Sequence, residues 1–450
     1  MVRFPRSRRG ALSALGLLSL SACSSSDGDE KGSPAVGTDA GAQCPSTYVV
    51  DSKASDRTAC TFESGSVATD SIALAGPEKK LPIEHVIVVM KENRSYDHLF
   101  GKLHDQVPES EAVPDGFSNK DANGVDVKPF HLDTTCEPVD PGHQWAEMHA
   151  QVNSGAMDGF VTSGAASADK QPSDGHFVMG YYDETDLPFY YFLAKTFSIS
   201  DRYFPSVRSG TWADRDYLYC ATSDGVKDTA TGIPGPDVKT IFQAMDDANV
   251  SWGVYADNGP LSLSLLWALD HPGVHPVQDL LDGLSSGNLP SVVFVDGTLN
   301  VQDEHPPADL QIGEAWTKQI YDALVGGPLW ASSVMFFTYD EAGGFADHVP
   351  PPEKSCVARP DNPKDTEFFE LGVRVPLITV SPWARRHHVS HVQHEHTSIT
   401  RFIELVFGLP ALTKRDANSD ALLDTFDFAC PNTDALPEAP AAGTGGCPAP

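Results

Sequence analysis

Two polar clusters in this 450-residue chain have the composition of a metal site. One is Glu92-Asn93, within Lys91-Glu92-Asn93-Arg94-Ser95-Tyr96-Asp97-His98. The other is Asp340-Glu341, within Tyr339-Asp340-Glu341-Ala342-Gly343-Gly344, with Asp347-His348 a few residues on. Carboxylate and amide oxygens from two loops suit a hard divalent cation, and imidazole can complete the shell. Such an ion neutralises a phosphoryl oxygen and activates a nucleophile. Solvated loop acids are the plain alternative, and an isolated Asp-Glu pair is more often that. A hydroxyl nucleophile is on offer where Phe204-Pro-Ser-Val-Arg-Ser-Gly-Thr211-Trp-Ala-Asp-Arg215 passes from a Gly-containing turn into an amphipathic stretch ending near Thr222. At a helix start, Thr211 meets the positive dipole end and backbone N–H groups that favour an alkoxide and hold phosphate oxygens. An ordinary N-cap threonine has the same signature, and Ser206 and Ser209 are rival hydroxyls.

Cleaving a phosphate ester also requires a general acid for the leaving oxygen, and imidazole titrates in the useful range. The chain has 16 histidines, among them His143, His149, His305 in Asp-Glu-His-Pro-Pro, His348 in Asp-His-Val-Pro-Pro, and His396. The run His387-His388, with His391, His394 and His396, reads as solvated surface in preference to an adventitious metal site.

The elements that must position these groups alternate as in an α/β fold. Apolar strand runs are expected at His85–Met90, Ser291–Val295, Ser333–Tyr339 and Val375–Ser381. Helical stretches are expected at about 187–197, 212–222, 236–248, 309–325 and 396–407. Glu92-Asn93 and Asp340-Glu341 each follow a strand run directly, and sites in open α/β sheets gather beyond the carboxyl ends of strands.

The chain ends read differently. Arg3, Arg6, Arg8 and Arg9 precede an apolar run from Ala11 to Leu20, too short to span a bilayer. Leu20-Ser21-Ala22-Cys23 looks like a bacterial lipobox, with Cys23 as the acylation site, and Ser7-Arg8-Arg9 resembles a twin-arginine signal. The expectation is an exported lipoprotein, anchored in the membrane and facing the periplasm or cell surface. Of the seven cysteines beyond Cys23, an odd number, local pairs such as Cys44 with Cys60 or Cys430 with Cys447 are plausible. With 31 basic against 62 acidic side chains, the surface repels nucleic acid, so any phosphate must be held locally.

A family resemblance runs along the same residues. Glu-Asn-Arg-Ser-Tyr-Asp-His-Leu-Phe-Gly at 92–101 resembles the opening signature of the bacterial phosphoesterase family that contains phospholipases C and a group of acid phosphatases. The similarity continues in family order through 143–160, 179–191, 303–307, 338–352, 374–383 and 395–404. It implies a three-layer α/β/α sandwich with a mostly parallel sheet, like that of alkaline phosphatase. It also implies Glu92, Asn93, Asp340, Glu341 and Thr211 as metal ligands, Thr211 doubling as nucleophile. His305, His348 and His143 would contact phosphate or move protons. The metal could be Ca, Mg, Mn or Zn. The substrate would be a phosphate ester: a phospholipid or other diester, or alternatively a monoester. A binding lipoprotein on the same fold is the reading of another class. The implied organisation is an export signal at 1–22, a Ser/Gly-rich tether at 23–80, a phosphoesterase domain at 81–432 and a flexible Pro/Ala/Gly-rich tail at 433–450. Gly210-Thr-Trp-Ala-Asp-Arg215 departs from the Pro-Thr-Asp-Pro-Asn-Arg of many relatives, placing the acid Asp214 where an amide usually donates. Glu395 stands where relatives often have Asp, and the extra C-terminal β domains of the larger phospholipases are not expected here.

Overall fold

Runs of Val, Ile and Phe that are buried on both sides form the centre of one sheet, the pattern of parallel strands covered on both faces. The computed structural model describes residues 51–73, 80–136, 139–165, 174–228, 234–235, 237–258, 273–429, 431–432 and 435–446. The strands are β1 (His85–Lys91), β2 (Ser198–Ser200), β3 (Trp252–Tyr255), β4 (Val274–His275), β5 (Val292–Val295), β6 (Ser333–Tyr339), β7 (Leu377–Val380) and β8 (His388–Ser390). Their order across the sheet is β8-β2-β7-β6-β1-β5-β3-β4. Every pairing is parallel except the two that β7 makes with β6 and β2. At the centre, Val86–Val89 of β1 lie beside Val292–Val295 of β5, and Lys91 is in register with Tyr339 of β6.

The helices that matter for the sheet and the site are α1 (Tyr96–Phe100), α2 (Trp145–Val152), α3 (Pro188–Thr196), α4 (Thr211–Cys220), α5 (Ile241–Ala248), α6 (Val277–Ser286), α7 (Leu310–Gly326) and α8 (His396–Phe407). Successive side chains of a strand face opposite ways, and β6 shows which helices share a face. Phe336 packs on Phe402 of α8 with ring centroids 5.1 Å apart, whereas Phe337 packs on Tyr190 of α3 at 4.7 Å. On the α8 side, Tyr219 of α4 and Phe242 of α5 meet Phe294. On the α3 side, Phe189 meets Tyr321 of α7. The result is the expected three-layer α/β/α sandwich. Helix starts differ from the periodicity where caps decide them. The helix expected from about 236 begins at Ile241, because Thr240 and Gln243 form a capping box.

Four expectations change. Cys60 pairs with Cys356, 296 residues away, and so not with Cys44. The segment carrying Cys60, placed in the tether, folds back on the domain: Arg57 donates to the Ser71 carbonyl and to Asp420. Cys136 is disulfide-bonded as well, while Cys220 is a buried free thiol. In the Pro/Ala/Gly-rich tail, the N–H groups of Gly443, Gly445 and Gly446 donate to Glu314, Gln311 and Asp309, so these residues are held on α7. Of the histidines read as surface, His394 and His396 are buried, His394 between Asp420 and Asp424 at 3.1 Å from each. The export signal, Cys23, Cys44, Cys430 and Cys447 lie outside the described residues.

Candidate active site

The carboxyl ends of β1, β5 and β6 lie side by side, so the residues that follow them converge. Glu92 donates its N–H to the Asp303 carbonyl at 2.8 Å, and Asp340 donates its own to the Lys91 carbonyl at 3.0 Å. The β6 loop then closes on Asn93. Gly343 has φ +64°, and a Cβ there would sit 2.3 Å from the Asn93 carbonyl oxygen, so only glycine permits this approach. The Gly343 N–H donates to Glu341 Oε2 at 2.6 Å and orients that carboxylate.

Thr211 opens α4 from below Gly210, which is the N-cap and supplies no side-chain cap. Thr211 is therefore the first helical residue, not a capping threonine. Its Oγ1 accepts from Asn93 Nδ2 at 3.2 Å. The rival hydroxyls are engaged elsewhere: Ser206 Oγ accepts the Thr397 N–H, and Ser209 Oγ donates to the Lys227 carbonyl.

One helical turn after Thr211, the buried Arg215 binds three carboxylates. Nε donates to Asp340 at 3.0 Å, Nη1 to Asp296 at 2.8 Å and Nη2 to Glu92 at 3.2 Å. Sequence reading missed Arg215 and Asp296, although both carried a signal. Arg215 lies four residues beyond Thr211 on one helix face, and Asp296 follows β5 as Glu92 follows β1. His396, expected on a solvated surface, lies at the site instead: its Nε2–H donates to the Asp340 carbonyl at 2.6 Å and its Nδ1 accepts from Tyr203 at 2.9 Å. Burial, with Arg215 adding to it, pushes His396 down to about 3, so the neutral ring holds the Asp340 backbone.

Protonation follows burial throughout. Desolvation raises the Glu92 and Asp340 carboxyls, the charge of Asp340 adding to it at Glu92 and Arg215 opposing it at both. Desolvation lifts Glu341 to about 8, against His143 and with Asp340. Burial also raises Asp214 well above the carboxylate range, against the Val207 N–H that its Oδ1 accepts at 3.0 Å. The anion expected beside the phosphate position is thus disfavoured, and the neutral acid approaches the amide it replaces. Burial works against a charged His143, but Glu341 and Asp140 outweigh it and raise the imidazole to about 10. Its Nε2 lies 3.8 Å from Glu341 Oε1, and its ring centroid is 5.7 Å from that of His305.

The structure therefore brings together Glu92, Asn93, Thr211, Asp340, Glu341, His143 and His305. His348 joins a different group: its Nδ1 is 2.7 Å from Asp97, which with Asp347 binds Arg374. Among the described residues, Asn93 Oδ1 and Glu341 Oε1 are buried without a hydrogen-bond partner. Orphaned oxygens among crowded carboxylates are what a hard cation satisfies, so these residues fit a divalent metal. Asp140, His143 and His305 also offer ligand atoms within 4.8 Å of one another.

A model of the Phosphoesterase family matches residues 83–410. Non-specific phospholipase C1 of Arabidopsis thaliana is 34% identical over 381 residues, 75% of this chain and 69% of that protein. Phospholipase C B of Mycobacterium tuberculosis is 31% identical over 422 residues, 79% of this chain and 80% of its own. A crystal structure from the alkaline phosphatase superfamily of Vibrio parahaemolyticus aligns with a TM-score of 0.38 and 8% identity, over 84% of this chain and 79% of that one. The family match spans β1, α4 and β6 with the loops that follow them, and on that match the chain belongs to the phosphoesterase family and is a hydrolase of phosphoric ester bonds.

Proposed function

We propose that this protein is an exported, lipid-anchored, divalent-metal-dependent phosphodiesterase of the phospholipase C type, with Thr211 as its nucleophile. The observation that carries the reading is the Thr211 hydroxyl at an uncapped helix start, 3.2 Å from Asn93 and grouped with Glu92, Asp340 and Glu341. The relatives named phospholipase C favour a diester over a monoester.

Glu92, Asn93, Asp340, Glu341 and Thr211 would hold the metal. When bound, such an ion stabilises charge on phosphoryl oxygens and favours a deprotonated hydroxyl. The chain's own groups do the rest. First-turn N–H groups of α4 point at incoming phosphoryl oxygens. His143, raised to about 10, is a fixed cation for that charge at neutral pH. Thr211 Oγ1 forms a bond to phosphorus as the bond to the leaving alcohol breaks, and His305 gives that alcohol its proton. The Nδ1–H of His305 donates to the Pro306 carbonyl at 2.8 Å, which orients the ring. Water then attacks the phosphothreonine and returns Thr211. His348, paired with Asp97, stays outside this sequence.

The location rests on Arg3 to Arg9, the lipobox and Cys23. The Cys60–Cys356 disulfide fits an oxidising compartment. Among the described residues no helix is long and apolar enough to cross a membrane. The reaction is tested with p-nitrophenylphosphorylcholine and p-nitrophenyl phosphate, each with and without chelator, beside Thr211→Ala. Faster diester turnover, abolished by chelator and lowered at least ~1,000-fold by the substitution, is expected. Preference for the monoester would make this an acid phosphatase-type enzyme. Chelator-resistant turnover by Thr211→Ala would sink the mechanism. Mass spectrometry of the mature N-terminus tests acylation of Cys23.

A further inference from the structure

We infer that Glu304 is the positioning residue that sets the three site-bearing loops in register with one another. Glu304 is fully buried, and its polar atoms reach β1, α3, β6 and the segment that follows β1. Oε1 accepts from Lys91 Nζ at 3.0 Å and from the Tyr190 hydroxyl of α3. Oε2 accepts from the Tyr339 hydroxyl at 2.5 Å. The backbone carbonyl accepts from Arg94 Nε at 3.1 Å.

Two of these partners occupy special places. Lys91 ends β1 and Tyr339 ends β6, the two are in register, and each immediately precedes a pair of proposed ligands, Glu92-Asn93 or Asp340-Glu341. On its other side Glu304 is followed by His305. One carboxylate thus grips the roots of both proposed ligand loops and carries the proposed acid on the next residue.

The local backbone is specialised for this. Glu304 has φ +75°, a region that a residue with a Cβ seldom adopts and that the surroundings must enforce. Space for its side chain exists because residue 313 is glycine: a Cβ there would sit 2.2 Å from Glu304 Cγ. Lys91, opposite, is closed in by the Gly313 carbonyl at 3.0 Å and by the Trp316 ring at 4.6 Å. A charge balance alone would need one oxygen near one nitrogen. The hydroxyls of Tyr190 and Tyr339 are aimed at the same carboxylate as well, which is the geometry of a clamp.

This rests on the site proposed above, and the test separates the two. Glu304→Gln leaves a buried ammonium without its counter-charge, a change that threatens folding itself, so the informative variant is Lys91→Met with Glu304→Gln. Tyr339→Phe repeats the test with no charge changed. The readouts are thermal melting, Mn2+ affinity by calorimetry, and kcat and KM on p-nitrophenylphosphorylcholine. Removing residues that orient metal ligands costs about 10–100-fold in affinity or activity. The double variant should melt near the wild type, bind Mn2+ at least about tenfold more weakly and lose about 100-fold in kcat with KM little changed. Tyr339→Phe should show a smaller loss of the same kind. A double variant, or Tyr339→Phe, with wild-type Mn2+ affinity and kcat would overturn the inference and reduce Glu304 to a counter-charge. A folded wild type that neither binds Mn2+ nor turns over would overturn the site assignment, and this inference with it.

Discussion

Arg215→Met removes a guanidinium that binds Asp340, Asp296 and Glu92 together. All four side chains are nearly inaccessible to water, so no solvent replaces the lost charge. Breaking a buried ion pair by deleting one partner costs about 3–5 kcal/mol. Here one deletion strips three carboxylates, so the upper end applies, against a total stability of about 5–15 kcal/mol for an ordinary domain. At roughly 2 °C per kcal/mol for a large domain, the melting temperature should fall by about 10 °C in chelator. Adding Mn2+ should recover part of that loss, because a cation restores positive charge among Glu92, Asp340 and Glu341. Arg215→Lys should recover less, since one ammonium cannot span three carboxylates. Differential scanning calorimetry of the three proteins, with EDTA and with Mn2+, is the assay. A loss under about 2 °C in EDTA would refute the claim that Arg215 is the site's structural counter-charge. So would an equal loss in both conditions, since it would show that no cation shares the role.

Asp214→Asn should lose no stability at pH 8 and gain there relative to pH 5, because burial already favours the neutral acid; a loss above about 2 kcal/mol at pH 8 in urea titrations would count against it. Burial lifts Glu314 from 4.5 to about 7 against the N–H groups of Gly443, Tyr190 and Phe189. An acid raised in the folded state takes up a proton on folding, so the contribution of Glu314 to stability is full below about pH 4.5 and is lost as pH rises through about 7. Glu314→Gln should flatten this decline by at most about 3 kcal/mol, and an unchanged slope between pH 5 and pH 8 would contradict it. Replacing both Cys60 and Cys356 by Ser should cost about 3–5 kcal/mol, since their loop is long; a reducing-agent-insensitive melting temperature in the wild type would argue otherwise.

Local pattern carried much of this protein. The apolar runs at 85–90, 291–295 and 333–339 are strands because their side chains are buried on both faces, a property written into consecutive residues. The polar clusters after them mark the site for the same reason, since a strand end is a local event. The helix at 396–407 matches its expected limits, bounded by a capping box at Glu395 and a left-handed Gly408. The ordered motifs from 92 to 404 carried the family, and with it the chemistry.

Tertiary structure decided whatever depends on distant neighbours and on exclusion of water. Cys60 meets Cys356 only because the chain before β1 folds across a loop some three hundred residues later. Arg215 becomes a hub because strand ends from 90, 296 and 340 converge on one helix face, and nothing adjacent to it in sequence announces three carboxylates. His348 and His305 stand in similar motifs ahead of a Pro pair, yet His348 pairs with Asp97 and His305 packs beside His143, since the loops carrying them turn to different sides. The charge states of Asp214, His396 and His143 follow from desolvation and from groups far along the chain. Composition can supply an ionisable residue, but only packing sets what surrounds it, and those surroundings determine whether it works as an acid, a base or a fixed charge.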